Sequence, residues 1–477
     1  MVSAGARRYL GQMPTNITVG QAALWFLHDL APESAAYNVA FALRILDPVD
    51  TGALEQAVRR TARRHDMLRS SFSDVSGQPE RVVHGDDVVR LEVRPARDPA
   101  AQVRAVIAEP FRLREAPLVR FVLLRDDTGG DTGGVLVMVA HHVVLDAGSQ
   151  TVIMRDLFEE YRALRTGVPA RLPELALTYA DHVAAERELL ASPRLAELTE
   201  HWRRFCAGAP VALELPTDRP RPAVQRYVGS AVSARLPEDA VADVQRVARE
   251  LRVTPFAFLV AVFEVLLHRY SGQPDFLLGC ATSTKDRRMS EVVGFFVNPV
   301  LLRPEVGART TFRELVAQTG GQLRQGTAYR HHPFALLPPA LGVPHDPSRS
   351  ALFQVLVTAY SAGADDTLLD GLFQGVSHGP FDYAGVRVAA VDMPPQQTGQ
   401  FDLTLELHMS KRSVTATLKY ATALFDAATV ERLARQYLVL VQSACADPDE
   451  LAGRLPMMAA EERELLLSAV GGDALDW

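Results

Sequence analysis

A chain of 477 residues exceeds what one ordinary hydrophobic core holds, so two or more lobes are expected. Its 48% hydrophobic and 22% charged residues exclude a disordered chain, and a net charge of −7 argues against nucleic acid as the main partner. Three scattered cysteines, Cys206, Cys280 and Cys445, have neither pairing nor ligand spacing, which points to a reducing, cytoplasmic setting. The N-terminus carries no apolar core of signal-peptide length. The longest apolar run, Phe256 to Leu267, is too short to span a bilayer and contains Glu264, so a buried helix is expected there and no membrane span.

In chain order, Thr18 and Gln21 match a capping box, with Thr18 as N-cap of a helix over Gln21 to Leu30 that is rich in Leu24, Trp25, Phe26 and Leu27. Tyr37 to Leu46 reads as a strand. Asp50 or Thr51 caps a helix with Leu54, Ala57, Val58 and Thr61 on one side, which runs into Arg64-His65-Asp66-Met67-Leu68-Arg69-Ser70-Ser71-Phe72. Two apolar stretches, Leu118 to Leu124 and Val135 to Ala140, flank the polar segment Asp126 to Gly134 as a hairpin with a long tip. Next comes His141-His142-Val143-Val144-Leu145-Asp146-Ala147-Gly148-Ser149-Gln150. Ser149 is placed to cap a helix whose apolar face reads Ile153, Leu157, Tyr161 and Leu164, with Gly167 as its stop.

From Leu172 to Pro222 the chain is proline-bearing around a helical segment, Tyr179 to Phe205, and reads as the crossing between lobes. The second half opens with helices over Pro237 to Leu251 and Pro255 to Tyr270, the latter capped by Thr254. A strand (Phe276 to Ala281), the segment Val292 to Pro299, a strand (Leu352 to Ala359) and a terminal amphipathic helix (Phe425 to Cys445) follow. The stretch Ser361 to Gln400 is glycine-rich and weakly patterned. No repeat of roughly 20–50 residues is visible. Both halves nevertheless run helix, helix, strands, loop, a weak sign of two related lobes.

The chemistry concentrates at His141, His142 and Asp146, on a tight connection between a core strand and a helix start. Such a connection holds an imidazole rigidly while leaving its edge open. Alone, His-His-x-x-x-Asp is a modest signal, since histidine pairs also arise as metal ligands or satisfied core residues. No second cluster of His, Cys, Asp or Glu lies nearby at ligand spacing, so no metal is expected. No G-x-S-x-G elbow surrounds Ser149, which reads as a cap and not a nucleophile.

Seven ordered segments resemble the condensation domains of nonribosomal peptide synthesis, built on the chloramphenicol-acetyltransferase fold. They are Thr18 to Leu27, then Arg64, His65, Leu68, Arg69 and Phe72, then His141, His142 and Asp146, then Tyr179-Ala180-Asp181, then Gly294, Phe296, Val297 and Asn298, then His332-Pro333-Phe334, and last Asp346, Ser348 and Arg349. The resemblance implies a mixed α/β (α+β) fold of two acetyltransferase-like lobes, residues 1–185 and 186–477. The lobes would form a V-shaped pseudo-dimer with an interlobe tunnel, a floor loop at about 285–300 and a latch within 361–400. It implies transfer of an acyl or aminoacyl group, presented on a carrier protein's phosphopantetheine arm, to an amine or hydroxyl. Product would be an amide or ester in natural-product assembly, formed with no bound cofactor, in a cytoplasmic monomer.

By the same resemblance His142 is the catalytic position, His141 its inward-packed support satisfied by a backbone carbonyl, and Asp146 a structural anchor bonded to an arginine. Arg69 and Arg349 are the candidates for that arginine. Ala147, Gly148, Ser149 and Asn298 are placed along the tunnel. Two departures stand out: Ala147 follows the aspartate where the family has glycine, and Ala23 replaces the arginine of the opening pattern. An epimerase of the same fold should continue after the aspartate with a valine-serine-tryptophan-arginine run, which Ala147 to Thr151 lacks. A heterocyclising relative should have Asp in place of His141. A silent platform recruiting a partner to a carrier protein should lack His142. The tail Leu455 to Leu466 resembles the linker into an adenylation domain, whereas the Met1 start favours a free-standing enzyme over a piece of a synthetase.

Overall fold

The computed structural model describes residues 16–75, 78–125, 133–362, 367–373 and 379–458. Residues 1–15, most of the hairpin tip Asp126 to Gly134, parts of 361–400 and the linker-like tail beyond 458 lie outside the described residues.

The strands are β1 (Asn38–Ile45), β2 (Ser70–Val75), β3 (Gln78–Val83), β4 (Leu91–Pro95), β5 (Val119–Arg125), β6 (Gly134–His141), β7 (Gly229–Arg235), β8 (Leu278–Ser283), β9 (Val297–Leu302), β10 (Val355–Ser361), β11 (Phe381–Tyr383), β12 (Val386–Ala390), β13 (Leu403–Met409) and β14 (Val414–Ala421). They form two six-stranded sheets, ordered β11-β12-β1-β6-β5-β4 and β7-β14-β13-β10-β8-β9, and the separate hairpin β2-β3. The sequence of β6, Gly-Val-Leu-Val-Met-Val-Ala-His, is buried at every position, as an apolar run covered on both faces must be. It lies between β1 and β5, with Asn38 opposite His141.

Each lobe has its own core. The first gathers Met67, Phe72, Phe121, Phe158 and Tyr161, and the second Phe258, Phe263, Phe312 and Tyr437. The crossing is made by two helices, Tyr179–Leu190 and Pro193–Cys206, where the sequence pattern read one. Pro193 has no N–H to continue the first helix, so it starts the second, with Ser192 as N-cap. Tyr179 and Val183 belong to the first core and Trp202 to the second.

Two segments of the second half return to the first lobe. Val292, Val293, Phe295 and Phe296 are packed in its core, and β12 pairs antiparallel with β1, so the β11–β12 hairpin extends the first sheet. The opening capping box is present, with Gln21 N–H donating to Thr18 Oγ1 and Thr18 N–H to Gln21 Oε1, each at 3.2 Å. Asp50 and Thr254 cap the helices Thr51–Arg64 and Pro255–Ser271.

The two lobes repeat one supersecondary unit. In each, an eight-residue strand (β6 or β14) leads through a tight turn into a twenty-residue helix, Ala147–Thr166 or Ala427–Ala446. Asp146 is the N-cap of the first helix and Asp426 of the second. In this alignment His142 falls opposite Thr422, so the chemistry-bearing turn exists in one lobe only.

Candidate active site

The turn after β6 starts from two fixed points. His141 N–H donates to Leu118 O at 3.0 Å and His142 N–H to Tyr37 O at 2.8 Å, which ties the turn to the neighbouring strands. The His142 ring is oriented from behind. Its Nδ1 lies 2.7 Å from Leu145 O, and a carbonyl only accepts, so Nδ1 carries the proton and Nε2 keeps its lone pair. Phe295 meets the ring edge-to-face, with centroids 5.0 Å apart. Burial lowers the His142 pKa below its ordinary 6.5, against the opposing pull of the Leu145 carbonyl and the Asp146 charge. The imidazole is therefore neutral at pH 7.

His141 is buried, with 1% of its surface exposed, against the rings of His28 and Tyr37. The expected backbone carbonyl is replaced by a backbone donor: Val143 N–H donates to His141 Nδ1 at 3.1 Å. The tight turn brings the N–H of residue 143, and not a carbonyl, over the ring. Nε2 then bears the proton and has no hydrogen-bond partner among the described residues.

Among the described residues, Asp146 is bonded to backbone N–H groups and to no arginine. Its Oδ1 accepts from Ser149 N–H at 2.8 Å, which makes Asp146 the helix N-cap where the sequence had placed Ser149. Its Oδ2 accepts from Phe296 N–H at 3.2 Å, across the interface with the second half. Arg69 Nη1 instead donates to His84 O, and Arg349 pairs with Glu214 at 2.8 Å and Asp346 at 3.2 Å. The arginine anchor exists further along, at Asp156 within the helix that Asp146 caps. Asp156 has no exposed side-chain surface and accepts from Arg64 Nε and His65 Nε2 at 2.8 Å and from Arg155 Nε at 2.9 Å. Burial opposes ionisation there, and the bonds from His65 and Arg155 overcome it and hold the carboxyl low. Arg155 continues to Glu291 at 2.6 Å, linking the helix to the returning segment.

Ser149 is fully buried and does not face the cavity. Its Oγ donates to Gly294 O at 2.9 Å and accepts from Gly294 N–H at 3.1 Å, clamping the returning segment. Tyr179 Oη completes the clamp by donating to Phe295 O at 2.7 Å. A Cβ at Gly294 would lie 2.0 Å from the Tyr179 ring, so only glycine allows this approach.

A cavity of about 800 Å³ opens between the lobes. His142, Asp146, Ala147 and Gly148 line it from the first lobe, and Thr282, Asn298, Arg349 and Tyr360 are among its walls from the second. The Asn298 amide donates to Arg330 O and His332 O, both at 2.7 Å, and its Oδ1 accepts from Phe334 N–H at 2.8 Å, so its polar atoms shape the wall. Among the lining groups absent from the sequence reading are His182 and Glu186. Burial lowers the His182 pKa to about 4 and raises the Glu186 pKa to about 7. The available signal was their spacing of four on the helix opened by the motif residue Tyr179, which puts both on one face. Among the described residues no cluster of three or more His, Cys, Asp or Glu could hold a metal ion, and no single helix is long and apolar enough to cross a membrane.

The condensation-domain family model matches residues 14–467. The chain is 32% identical over 462 residues to a linear gramicidin synthase of Brevibacillus parabrevis, a match that covers 94% of this chain but 9% of that protein. It therefore spans under a tenth of that relative's length. Among solved structures it resembles the four-domain nonribosomal peptide synthetase AB3403, with a TM-score of 0.83 and 22% identity over 94% of this chain and 34% of that one. It also resembles the complex of the X-domain and OxyB from teicoplanin biosynthesis, with a TM-score of 0.80 and 24% identity over 93% of this chain and 96% of that one. These likenesses give the fold, two chloramphenicol-acetyltransferase-like lobes, and the sequence matches give the family. The chain belongs to the condensation domains of nonribosomal peptide synthesis, a family that acts on carrier-bound substrates.

Proposed function

We propose that this chain is an acyltransferase. It passes an acyl or aminoacyl group from the phosphopantetheine thioester of a carrier protein to an amine or hydroxyl acceptor, as a step of natural-product assembly in the cytoplasm. The observation that carries this reading is the state of His142: a neutral imidazole, its Nδ1–H held by Leu145 O, lining a cavity shared by both lobes.

The acceptor nitrogen or oxygen attacks the thioester carbonyl and gives its proton to His142 Nε2. The tetrahedral adduct collapses with cleavage of the C–S bond, and the thiolate of the carrier arm takes the proton back. An amide or ester and a free thiol result, without oxidation or a further co-reactant. General-base help of this kind contributes about 10²–10⁴-fold, so holding two substrates together in the cavity must supply much of the rest. Asp146 acts by position: it fixes the helix start and the Phe296 backbone beside the cavity.

The X-domain complexed with OxyB keeps a second reading in play, a platform that recruits a partner to a carrier protein. His142 speaks for turnover. The test is a mass-spectrometric assay with aminoacyl-loaded carrier protein and a panel of amines and alcohols, run on wild type and His142→Ala. Product that falls at least about a hundredfold in His142→Ala supports the acyltransferase. Carrier binding with no product from the wild type supports the platform.

A further inference from the structure

The cavity carries a carboxylate that the transfer step does not use. Glu186 lies on the helix Tyr179–Leu190, one turn after His182, and both line the cavity that holds His142. Its Oε1 accepts from Val19 N–H at 2.7 Å, at the start of the helix Val19–Leu30. Among the described residues that is its one hydrogen bond, and no cationic side chain pairs with it. A carboxylate withdrawn from bulk water without a counter-ion is costly, so proteins pair such groups or leave them protonated. Here burial raises the Glu186 pKa to about 7, the mark of a carboxylate that lacks a cation.

The vacancy has a cause in the sequence. Ala23 lies one helical turn after Val19, on the same face, and also lines the cavity. Ending at Cβ, Ala23 brings no charge toward Glu186 and leaves open the space that a long side chain would fill. His182, the nearest titratable neighbour on the Glu186 face, is held neutral by burial and supplies no charge either.

We propose that Glu186 binds an ammonium group of a substrate, in the space left open by Ala23. This assignment rests on the acyl-transfer reading and names the chemistry that the site selects. The ammonium has two sources: the free amino group of a carrier-bound aminoacyl donor, which stays protonated, or the amine of the acceptor, which leaves its extra proton on the Glu186 carboxylate to free the lone pair that attacks. A charge-assisted hydrogen bond of this kind changes affinity by about 10–100-fold.

Two variants test it. Glu186→Gln removes the charge while its amide oxygen still accepts from Val19 N–H, so the helix start is kept. Ala23→Arg supplies a cation from the protein itself. Each is compared with wild type on two matched pairs. The first is alanine against propionate, presented as carrier thioesters for KM and as unreactive pantetheine amides for Kd by calorimetry. The second is pentylamine against pentanol, by KM and by Kd. The expected result is a wild-type preference of about tenfold or more for the charged member of one pair, lost in both variants. The pair that responds identifies the source. A wild type that does not discriminate in either pair, or a preference that survives Glu186→Gln, overturns the proposal. Discrimination in Kd that Glu186→Gln abolishes, with no product from any pair, would sustain the ammonium site and sink the acyl transfer.

Discussion

At the residue scale, the protonation of His142 is decided by a single carbonyl. Leu145 O fixes the proton on Nδ1, and burial keeps the second proton off at neutral pH. The sign of the pH dependence follows. A base whose pKa is lowered from 6.5 stays active as the pH falls through that value and is lost only further down. Turnover of a propionyl donor with pentanol, a pair that carries no ammonium for Glu186, should therefore show an acid limb with its midpoint below pH 6.5. A midpoint above 6.5 in the kcat/KM profile would contradict the neutral imidazole. Asp146 separates geometry from charge. Asp146→Asn keeps an oxygen for Ser149 N–H but turns an amide NH2, a donor, toward Phe296 N–H, whereas Asp146→Ala leaves both N–H groups without their acceptor. Loss of the cap alone costs about 1 kcal/mol and an orphaned buried donor about 1–3 kcal/mol. Urea denaturation should thus rank wild type above Asp146→Asn above Asp146→Ala, with turnover falling in the same order.

At the scale of the element, the strand–turn–helix unit was the most legible part of the chain. An apolar run, a polar turn and a 3.6-residue stripe suffice to place β6 and the helix Ala147–Thr166. The partners of that unit were not legible, because each is contributed from far along the chain. Phe296 N–H reaches Asp146 across 150 residues and Gly294 reaches Ser149 across 145, and backbone groups leave no trace in side-chain pattern. Hence an arginine was expected at Asp146, while the arginines Arg64 and Arg155 hold Asp156. Glu186 was missed because a glutamate on a polar helix face looks solvated until another element covers it. Glu264 was visible as an acid inside an apolar helix, and the structure gives its consequence. Thr319 Oγ1 donates to its Oε2 at 2.6 Å, and burial nonetheless raises its pKa to about 8. The folded chain then holds a proton that the unfolded chain, with a pKa near the ordinary 4.5, releases. Stability falls as pH rises from 4.5 toward 8, by about 1.4 kcal/mol per unit where the difference is complete, and is flat above. Glu264→Gln lacks this proton. Its urea midpoint should drop less than that of wild type between pH 6 and pH 8.5.

At the scale of the whole molecule, the second half closes the first lobe at two places, and the cavity depends on both. The segment around Gly294 is clamped by Ser149, Asp146 and Tyr179, so Gly294→Ala must push it off the Tyr179 ring. Overpacking of this kind costs about 1–3 kcal/mol. The displaced Phe296 backbone should lower turnover more than that stability loss alone would. Chromatography and a melting curve, beside the transfer assay, would show a folded protein with impaired turnover. The β11–β12 hairpin is the second closure. It pairs with β1 in register, Arg44 opposite Ala389, and Gln396 Oε1 accepts from Ala40 N–H at 2.6 Å. A hairpin so paired is a permanent part of the sheet, because opening it would expose Val388, which has no solvent-accessible surface. Crosslinking it should therefore cost nothing in turnover. With Arg44→Cys and Ala389→Cys oxidised to a disulfide, the melting temperature should rise by about 5 °C, since a bridge closing so long a loop contributes about 2–4 kcal/mol. Turnover should stay within about twofold of the reduced form, as expected when the bridge does not distort native geometry. Turnover that collapses on oxidation and returns with reductant would show instead that the hairpin lifts from β1 in each cycle, and that the cavity opens along that seam.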